Sequence, residues 1–294
     1  MVTINDLEGQ VTGNPLGMAT GLTFTGSGEF DGGQTFSVAI AHTNKNAYSS
    51  ANITLNTNST GTFKLSSAEG GAGIGGYDDN MPTAWEETDG TGLSTGARTV
   101  SGAGGKTDIE WNVGMGLPDG MNVYASFAPR PDGSKNANKG VGGSSGIEGN
   151  GWDIVLTHSG LLDGLNVFAG LSSVEQNATL GDKDSEAYGA TYAFGAATVG
   201  YQHSKEDNAT AASAYYENDA YAISYSVNDD LAISYGFHES KSSAQGLDLK
   251  AESIQISYSV GGASIVLAES SVDNQNYSSG TNREGRTVAV TLAF

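Results

Sequence analysis

GLTFTGSGEFDGGQTFSVAIAH, residues 21–42, reads as two alternating runs on either side of a short turn. Leu22, Phe24 and Phe30 share one parity, with Gly26 and Gly28 between them, while Thr23, Thr25, Ser27 and Glu29 take the other. Beyond Asp31-Gly32-Gly33, Phe36, Val38 and Ile40 alternate with Ser37, Ala39 and Ala41. Successive side chains of a strand point to opposite faces, and Asp-Gly between alternating runs is a strong hairpin signal. The stretch therefore predicts an antiparallel hairpin with one apolar and one polar face.

The same unit recurs outward to the end of the chain. ANITLNTN (51–58) and TFKLSSA (62–68) form a second pair, and KTDIEWNVGMG (106–116) turns at Pro118-Asp119-Gly120 into MNVYASFA (121–128). WDIVLTHSGLL turns at Asp163-Gly164 into LNVFAGLSS, and EAYGATYAF turns at Gly195-Ala196 into ATVGYQHSK. AYAISYSV turns at Asn228-Asp229-Asp230, SIQISYSV turns at Gly261-Gly262, and GRTVAVTLAF ends the chain on Phe294. Tight turns join the members of each pair. Polar connections of roughly ten residues or more join most pairs to the next: Ser204–Asn218, Glu239–Leu249 and Ser270–Glu284, with Gln176–Ser185 shorter. Sorting of short and long connections onto opposite rims is the habit of a transmembrane β-barrel. A sandwich, which buries its apolar face against a second sheet, has no reason for it.

The expected fold is thus all-β, an antiparallel transmembrane barrel forming a single domain over residues 1–294. Outward positions are expected to be Leu, Val, Ile, Phe, Tyr, Trp and small residues, and inward ones Thr, Ser, Asn, Gln, Asp, Glu and Lys. The pattern contains 15 strands, and with Asp31, Asp119, Asp163 and Asp229 on one rim an upward strand must precede Leu22. The first 16 residues supply it or it has been lost, and with it the count becomes about 16, the even number of bacterial single-chain barrels. Val2–Leu16 alternates poorly, and Met1 is followed by VTINDLEGQVTG, which has neither a charged n-region nor an apolar core. A processed or truncated start is therefore expected.

Composition narrows the function. The 294 residues carry a formal net charge of −20, with 43 Gly, 5 Pro and no Cys. Without Cys there are no disulfides and no thiolate metal sites. So acidic a chain argues against a nucleic-acid partner, whose phosphates require Lys and Arg. No apolar run approaches the ~20 residues of a transmembrane helix, but a mean hydropathy of −0.27 suits a barrel, in which only alternate residues face lipid.

One stretch departs from the pattern: EGGAGIGGYDDNMPTAWEETDGTGLSTG, Glu69–Gly96. Structureless loops beyond ~15 residues are usually functional or disordered. This one holds Glu69, Asp78, Asp79, Glu86, Glu87 and Asp89 with no Lys or Arg, together with Tyr77, Trp85 and Met81-Pro82. It is expected to pack inside the barrel and present carboxylates.

On the terminal GRTVAVTLAF and the DDNMPTAWEE loop, the chain resembles the general porins of Gram-negative outer membranes, especially the alphaproteobacterial type. The resemblance covers about Leu22–Phe294 and is positional and compositional. It implies a constriction loop over 69–96 after the fifth strand, a water-filled channel for passive diffusion of small hydrophilic solutes and ions, outer-membrane lipid and lipopolysaccharide around the barrel, and a homotrimer. It also implies that Phe294 is the signal read by the assembly machinery. The chain departs from the family in its scarce arginines, which porins usually cluster opposite the constriction loop.

On this reading Asp78, Asp79, Glu86 and Glu87 line the constriction and favour cations. Lys64 points inward between Phe63 and Leu65, Lys106 lies near the loop's return, Arg98 follows the loop directly, and Arg130 leans over the mouth from a strand end. Two alternatives stand beside it: a substrate-selective nutrient channel using Tyr77 and Trp85, and a secreted acidic β-sandwich or adhesin without a pore. Enzyme chemistry has little support. His42, His158, His203 and His238 lie at strand ends or rims, HExxH and GxSxG are absent, and GGAGIGG lacks the GK[ST] ending of a phosphate loop. No cofactor and no metal-ligand motif is expected.

Overall fold

The computed structural model describes residues 2–7, 16–18, 21–43, 50–67, 73–86, 88, 93–104, 107–129, 131, 147–209 and 214–292. Of the residues singled out above, Glu69, Glu87, Asp89, Lys106, Arg130 and Phe294 lie outside them. The strands are β1 (Val2–Leu7), β2 (Leu16–Met18), β3 (Gly21–Glu29), β4 (Thr35–Thr43), β5 (Ser50–Asn56), β6 (Gly61–Ser67), β7 (Thr107–Val113), β8 (Met121–Ala128) and β9 (Ile147–Ser159). They continue with β10 (Leu165–Gln176), β11 (Lys183–Phe194), β12 (Ala197–Asp207), β13 (Tyr215–Ser226), β14 (Leu231–Ser242), β15 (Asp248–Val260), β16 (Ala263–Asp273) and β17 (Arg283–Leu292).

All belong to one sheet. From β3 to β17 each strand pairs antiparallel with the next in sequence, so every tight turn, including those at Asp31, Asp119, Asp163 and Asp229, falls on one rim. β1 joins the ends. Ile4 lies opposite Val288 of β17 on one side and Leu16 of β2 on the other. β2 and β3 are two residues apart in sequence, and taken as one stave they bring the 17 segments to the expected 16. The first strand is therefore present within the opening residues, although its sequence alternates poorly. Both of its edges are paired, so the ladder holds it whatever its side-chain pattern. A single continuous sheet also removes the two-sheet sandwich from consideration.

Side-chain parity survives across the sheet. Phe24, Ile40, Ile53, Leu65, Ile109, Phe127 and Ile154 share the outward face and are each exposed, linked by cross-strand registers such as Phe24↔Ile40 and Leu65↔Ile109. An aromatic row follows β11–β14 above this apolar band, with Tyr201 5.2 Å from Tyr221 and Tyr221 6.3 Å from Phe237. Tyr192 and Phe194, ring centroids 5.9 Å apart, mark the tight-turn side. Aromatic girdles at both borders of an apolar band are the mark of a lipid-facing barrel wall.

Two expectations need correction. The polar connections are shorter than the sequence suggests, because β12 runs on to Asp207, β14 to Ser242 and β16 to Asp273. Acids and lysines do not all point inward either. Glu186, Lys205, Glu217, Asp219, Glu239, Lys250, Glu252, Glu269 and Arg286 stand on the outward parity of β11–β17, as the pairs Lys250–Glu239 at 3.2 Å and Arg286–Glu269 at 2.8 Å illustrate. Both differences have one cause. Above the apolar band each face of the sheet meets polar surroundings, so hydropathic alternation ends while the hydrogen-bonded ladder continues.

The wall is uneven. β3–β8 are 7–9 residues long and, among the described residues, carry no Asp, Glu, Lys or Arg on their outward parity. β9–β17 run 10–13 residues and hold the charged outer belt. A charge placed within the apolar band should therefore be far costlier than one in the belt. Ile256→Lys is expected to destabilise the folded barrel by about 2–4 kcal/mol and Ser173→Lys by about 0–1 kcal/mol, measured by denaturant unfolding in lipid vesicles.

Candidate functional site

Of the connection from β6 to β7, the described residues 73–86, 88 and 93–104 lie inside the barrel, held against the tall wall by inward side chains spaced along it. Its first described turn is a 3-10 helix, Gly73–Tyr77. Ile74 is fully buried among Val100, Val155, Phe168 and Ala187, and Tyr77 packs on Phe168 with centroids 4.9 Å apart. Burial, with a smaller contribution from nearby Tyr124, holds the Tyr77 phenol above its ordinary pKa. Tyr77 thus takes part in the packing of the loop against the wall.

Beneath this apolar contact lies Asp153 of β9, wholly buried. Its carboxylate accepts from the N–H groups of Ala103 at 2.8 Å, Gly104 at 2.7 Å and Ile74 at 3.3 Å, tying the entry and the exit of the loop to one point. The sequence accommodates it with glycine. Gly73 and Gly102 have φ of +61° and +52°, and a Cβ on either would strike this carboxylate.

From there the loop crosses the inner wall strand by strand. Gln202 of β12 donates to the carbonyls of Tyr77 and Asp78 at 2.8 and 2.7 Å and accepts from Asn80 N–H at 2.8 Å. Ser234 of β14 accepts from Ala84 N–H at 2.9 Å. The Gln255 side-chain oxygen on β15 accepts from the N–H groups of Trp85 and Glu86 at 3.1 and 3.0 Å, and its amide donates to Glu86 O at 2.7 Å. On the way back, Leu93 is buried with Tyr216, Leu249, Val272 and Tyr277. Arg98 N–H donates to the Tyr277 hydroxyl at 2.9 Å, and Asn218 donates to Arg98 O at 3.0 Å. Burial keeps the Tyr277 phenol above its usual pKa, against the opposing pull of its hydrogen bonds. Ser101 then meets Glu206, which also pairs with Lys183 at 3.3 Å. The loop is thus a double strap along β9–β16.

The predicted site residues fall on two sides of the interior. Asp78, Asp79 and Glu86 are on the outgoing pass, each half-buried. Asp78 accepts from Asp79 N–H at 3.0 Å and from the Thr99 hydroxyl at 3.1 Å, and Asp79 accepts from Met81 N–H at 3.3 Å. Arg98 follows on the return pass with its guanidinium 5.5 Å from the centre of the Tyr216 ring, on the acids' own side of the barrel. Lys64 stands on the short wall, inward as expected, and pairs with Glu110 at 3.5 Å. The structure therefore does not bring Lys64 and Arg98 together. Asp108, also inward and buried, hydrogen-bonds Ser66 beside that pair.

The anchors Asp153, Gln202, Ser234, Asn218 and Gln255 escaped sequence reasoning. For Asp153, Ser234 and Gln255 a signal exists, since each is a polar residue at inward parity between apolar neighbours, as in WDI, ISY and IQI, whereas Gln202 and Asn218 sit among polar or charged neighbours, in YQH and END. What they hold is visible only in three dimensions. Asp153→Ala leaves buried N–H groups unsatisfied at ~1–3 kcal/mol each. The loop is expected to detach while the ladder persists, read as faster proteolytic cleavage between residues 73 and 104 and as noisier single-channel current, with the barrel still folded.

The fold has well-defined relatives. An anion-selective porin from Comamonas acidovorans superposes with a TM-score of 0.68 at 13% identity, covering 100% of this chain and 98% of that one. The porin OmpF of Salmonella typhi, in complex with daunomycin, gives 0.70 at 13% identity over 99% and 96%, and a mutant porin of Rh. blastica gives 0.63 at 18% over 100% and 97%. No curated protein matches the sequence. The family described as Gram-negative porin matches residues 3–290, almost the whole chain. With a closed antiparallel sheet, an apolar outer band and a long loop strapped inside, the chain belongs to the Gram-negative porin family, whose place is the outer membrane.

Proposed function

We propose that the chain is one porin unit forming a water-filled, cation-preferring diffusion channel, with its passage between the strapped loop and the short wall of β3–β8. The observation that carries this reading is the unequal placement of charge. Asp78, Asp79 and Glu86 line the loop, while the inward base named on the opposite wall, Lys64, is paired with Glu110 and lies near Asp108. Beside these acids the loop backbone is held by the neutral side chains of Gln202, Ser234 and Gln255. Fold similarity carries no selectivity, since one structural neighbour is an anion-selective porin. Selectivity follows from side chains on the loop and facing wall.

Two unit charges ~4 Å apart interact by about 1 kcal/mol in water and about 4 kcal/mol at an effective dielectric of 20. With a Debye length of ~8–10 Å, a cation near Asp78 and Asp79 is favoured over an anion by about 1 kcal/mol. That is a permeability ratio of about five, because ~1.4 kcal/mol is tenfold. The zero-current potential across a KCl gradient tests it. The wild type should be cation-selective, and Asp78→Asn combined with Asp79→Asn should move the ratio toward unity. An anion-selective wild type or an unchanged double variant removes these carboxylates from the passage.

We further propose a homotrimer joined through the outward face of β3–β8, with lipid and lipopolysaccharide against the charged arc of β9–β17. Support comes from the uncharged face of the short strands. Phe30 and Phe36 sit 5.2 Å apart there, Phe63 stacks on Trp111 at 5.7 Å, and Gly26 has open space above it. Thin, apolar surface favours close protein contact. Phe24→Arg should yield monomers in sedimentation experiments in mild detergent, whereas Tyr258→Arg on the opposite arc should leave the oligomer intact. The reverse outcome would place the interface elsewhere.

A further inference from the structure

We propose that His203, Asp219 and Glu217, on the outer wall of β12 and β13, form a binding site for a divalent transition cation, Zn2+ above all. The sheet assembles it. His203 and Asp219 are directly opposite in the register, and Glu217 lies two residues from Asp219 on the same face. His203 Nδ1 stands 3.0 Å from an Asp219 carboxylate oxygen, and ligand atoms from all three residues fall within 4.8 Å of one another. Their spacing along the sequence matches no metal motif, which is why the sequence alone points to none.

The donor set selects the cation. One imidazole nitrogen and two carboxylates suit Zn2+ or Cu2+, whereas Ca2+ and Mg2+ prefer oxygen alone. With metal–ligand bonds of ~2.0–2.2 Å, two ligands of one ion lie ~3 Å apart, the separation His203 and Asp219 already have. The metal takes the place of the Nδ1···Asp219 hydrogen bond, with the imidazole neutral and its one proton on Nε2. The carboxylate has outer support as well, since the Tyr201 hydroxyl donates to the same Asp219 oxygen at 3.0 Å. Groups of this kind fix a ligand's orientation. The Tyr188 ring, 5.1 Å from that of His203, closes one side. The side chains of His203 and Asp219 are 14% and 20% exposed, enough for an ion and its waters to enter.

Neighbouring charges permit it. Lys205, opposite Glu217, is bound to Asp207 at 2.9 Å. Glu239, across from Asp219, is bound to Lys250 at 3.2 Å. Lys241 lies opposite Glu217 in the register, while Glu186, diagonal to His203 on β11, adds further negative potential. The site lies on the charged outer belt of the tall arc, outside the lumen and away from the short strands.

Zinc titration calorimetry on the full-length protein, washed free of metal in a non-chelating zwitterionic detergent, decides the matter. One zinc per chain is expected. His203→Gln and Glu217→Gln should each weaken it by at least ~100-fold and Tyr201→Phe by ~10-fold, while His158→Gln, an outward histidine on β9 outside the cluster, should change nothing. Each variant is accepted as folded when its single-channel conductance equals that of the wild type, which a site outside the lumen predicts. Cu2+ in the wild type should show nitrogen hyperfine splitting that is lost in His203→Gln. Absence of wild-type binding at millimolar zinc overturns the proposal. So does binding undiminished in both glutamine variants.

Discussion

Closure of the sheet at β1 is the constraint on which everything else rests. Inside a bilayer no water is available to the backbone, so every N–H and C=O must find a partner within the protein, and an open sheet edge is excluded. Val2–Leu7 provides this by pairing with β17 on one side and β2 on the other. Once the ladder closes, parity does the rest. One face of every strand meets lipid and the other encloses an interior, and the apolar residues sort accordingly.

A closed barrel of this size creates a second problem, an interior that side chains alone do not fill. The tall wall answers it with small inward residues interrupted by Asp153, Gln202, Asn218, Ser234 and Gln255, each binding the loop's backbone. A loop backbone carried into a barrel brings its own polar groups, and these would be orphaned against an apolar wall. A wall of amides, hydroxyls and the buried carboxylates of Asp153 and Glu206 satisfies them and fixes the loop's course. The uneven height of the wall belongs to the same division. Long strands carry the strap inside and the charged belt outside, and the short uncharged strands bound the remaining space.

Much of this was legible from the residues. Alternation and Asp-Gly turns located the strands from Leu22 onward, the sorting of connections placed the turns on one rim, and the acidic stretch without strand character was marked as an internal loop. The upper halves of the strands were not legible. Around Glu217 and Glu239 both faces are polar, so the signal that announces a strand is silent there even though the ladder continues. For the same reason these charges looked as though they belonged inside. β1 was equally weak in sequence, because two paired edges stabilise it more than any pattern of its own.

The sequence by itself determined the class of the fold and the charge of the loop, because hydropathic parity and composition are local properties written residue by residue. Only the tertiary structure decided which groups share a neighbourhood. Lys64 meets Glu110, Arg98 lies over Tyr216 on the acids' own side, Asp153 ties together loop ends that lie about thirty residues apart, and His203 faces Asp219 across two strands. Such meetings depend on strand register and on the path of the loop across the wall. Both are set by the closed ladder as a whole, and no short stretch of the chain contains them.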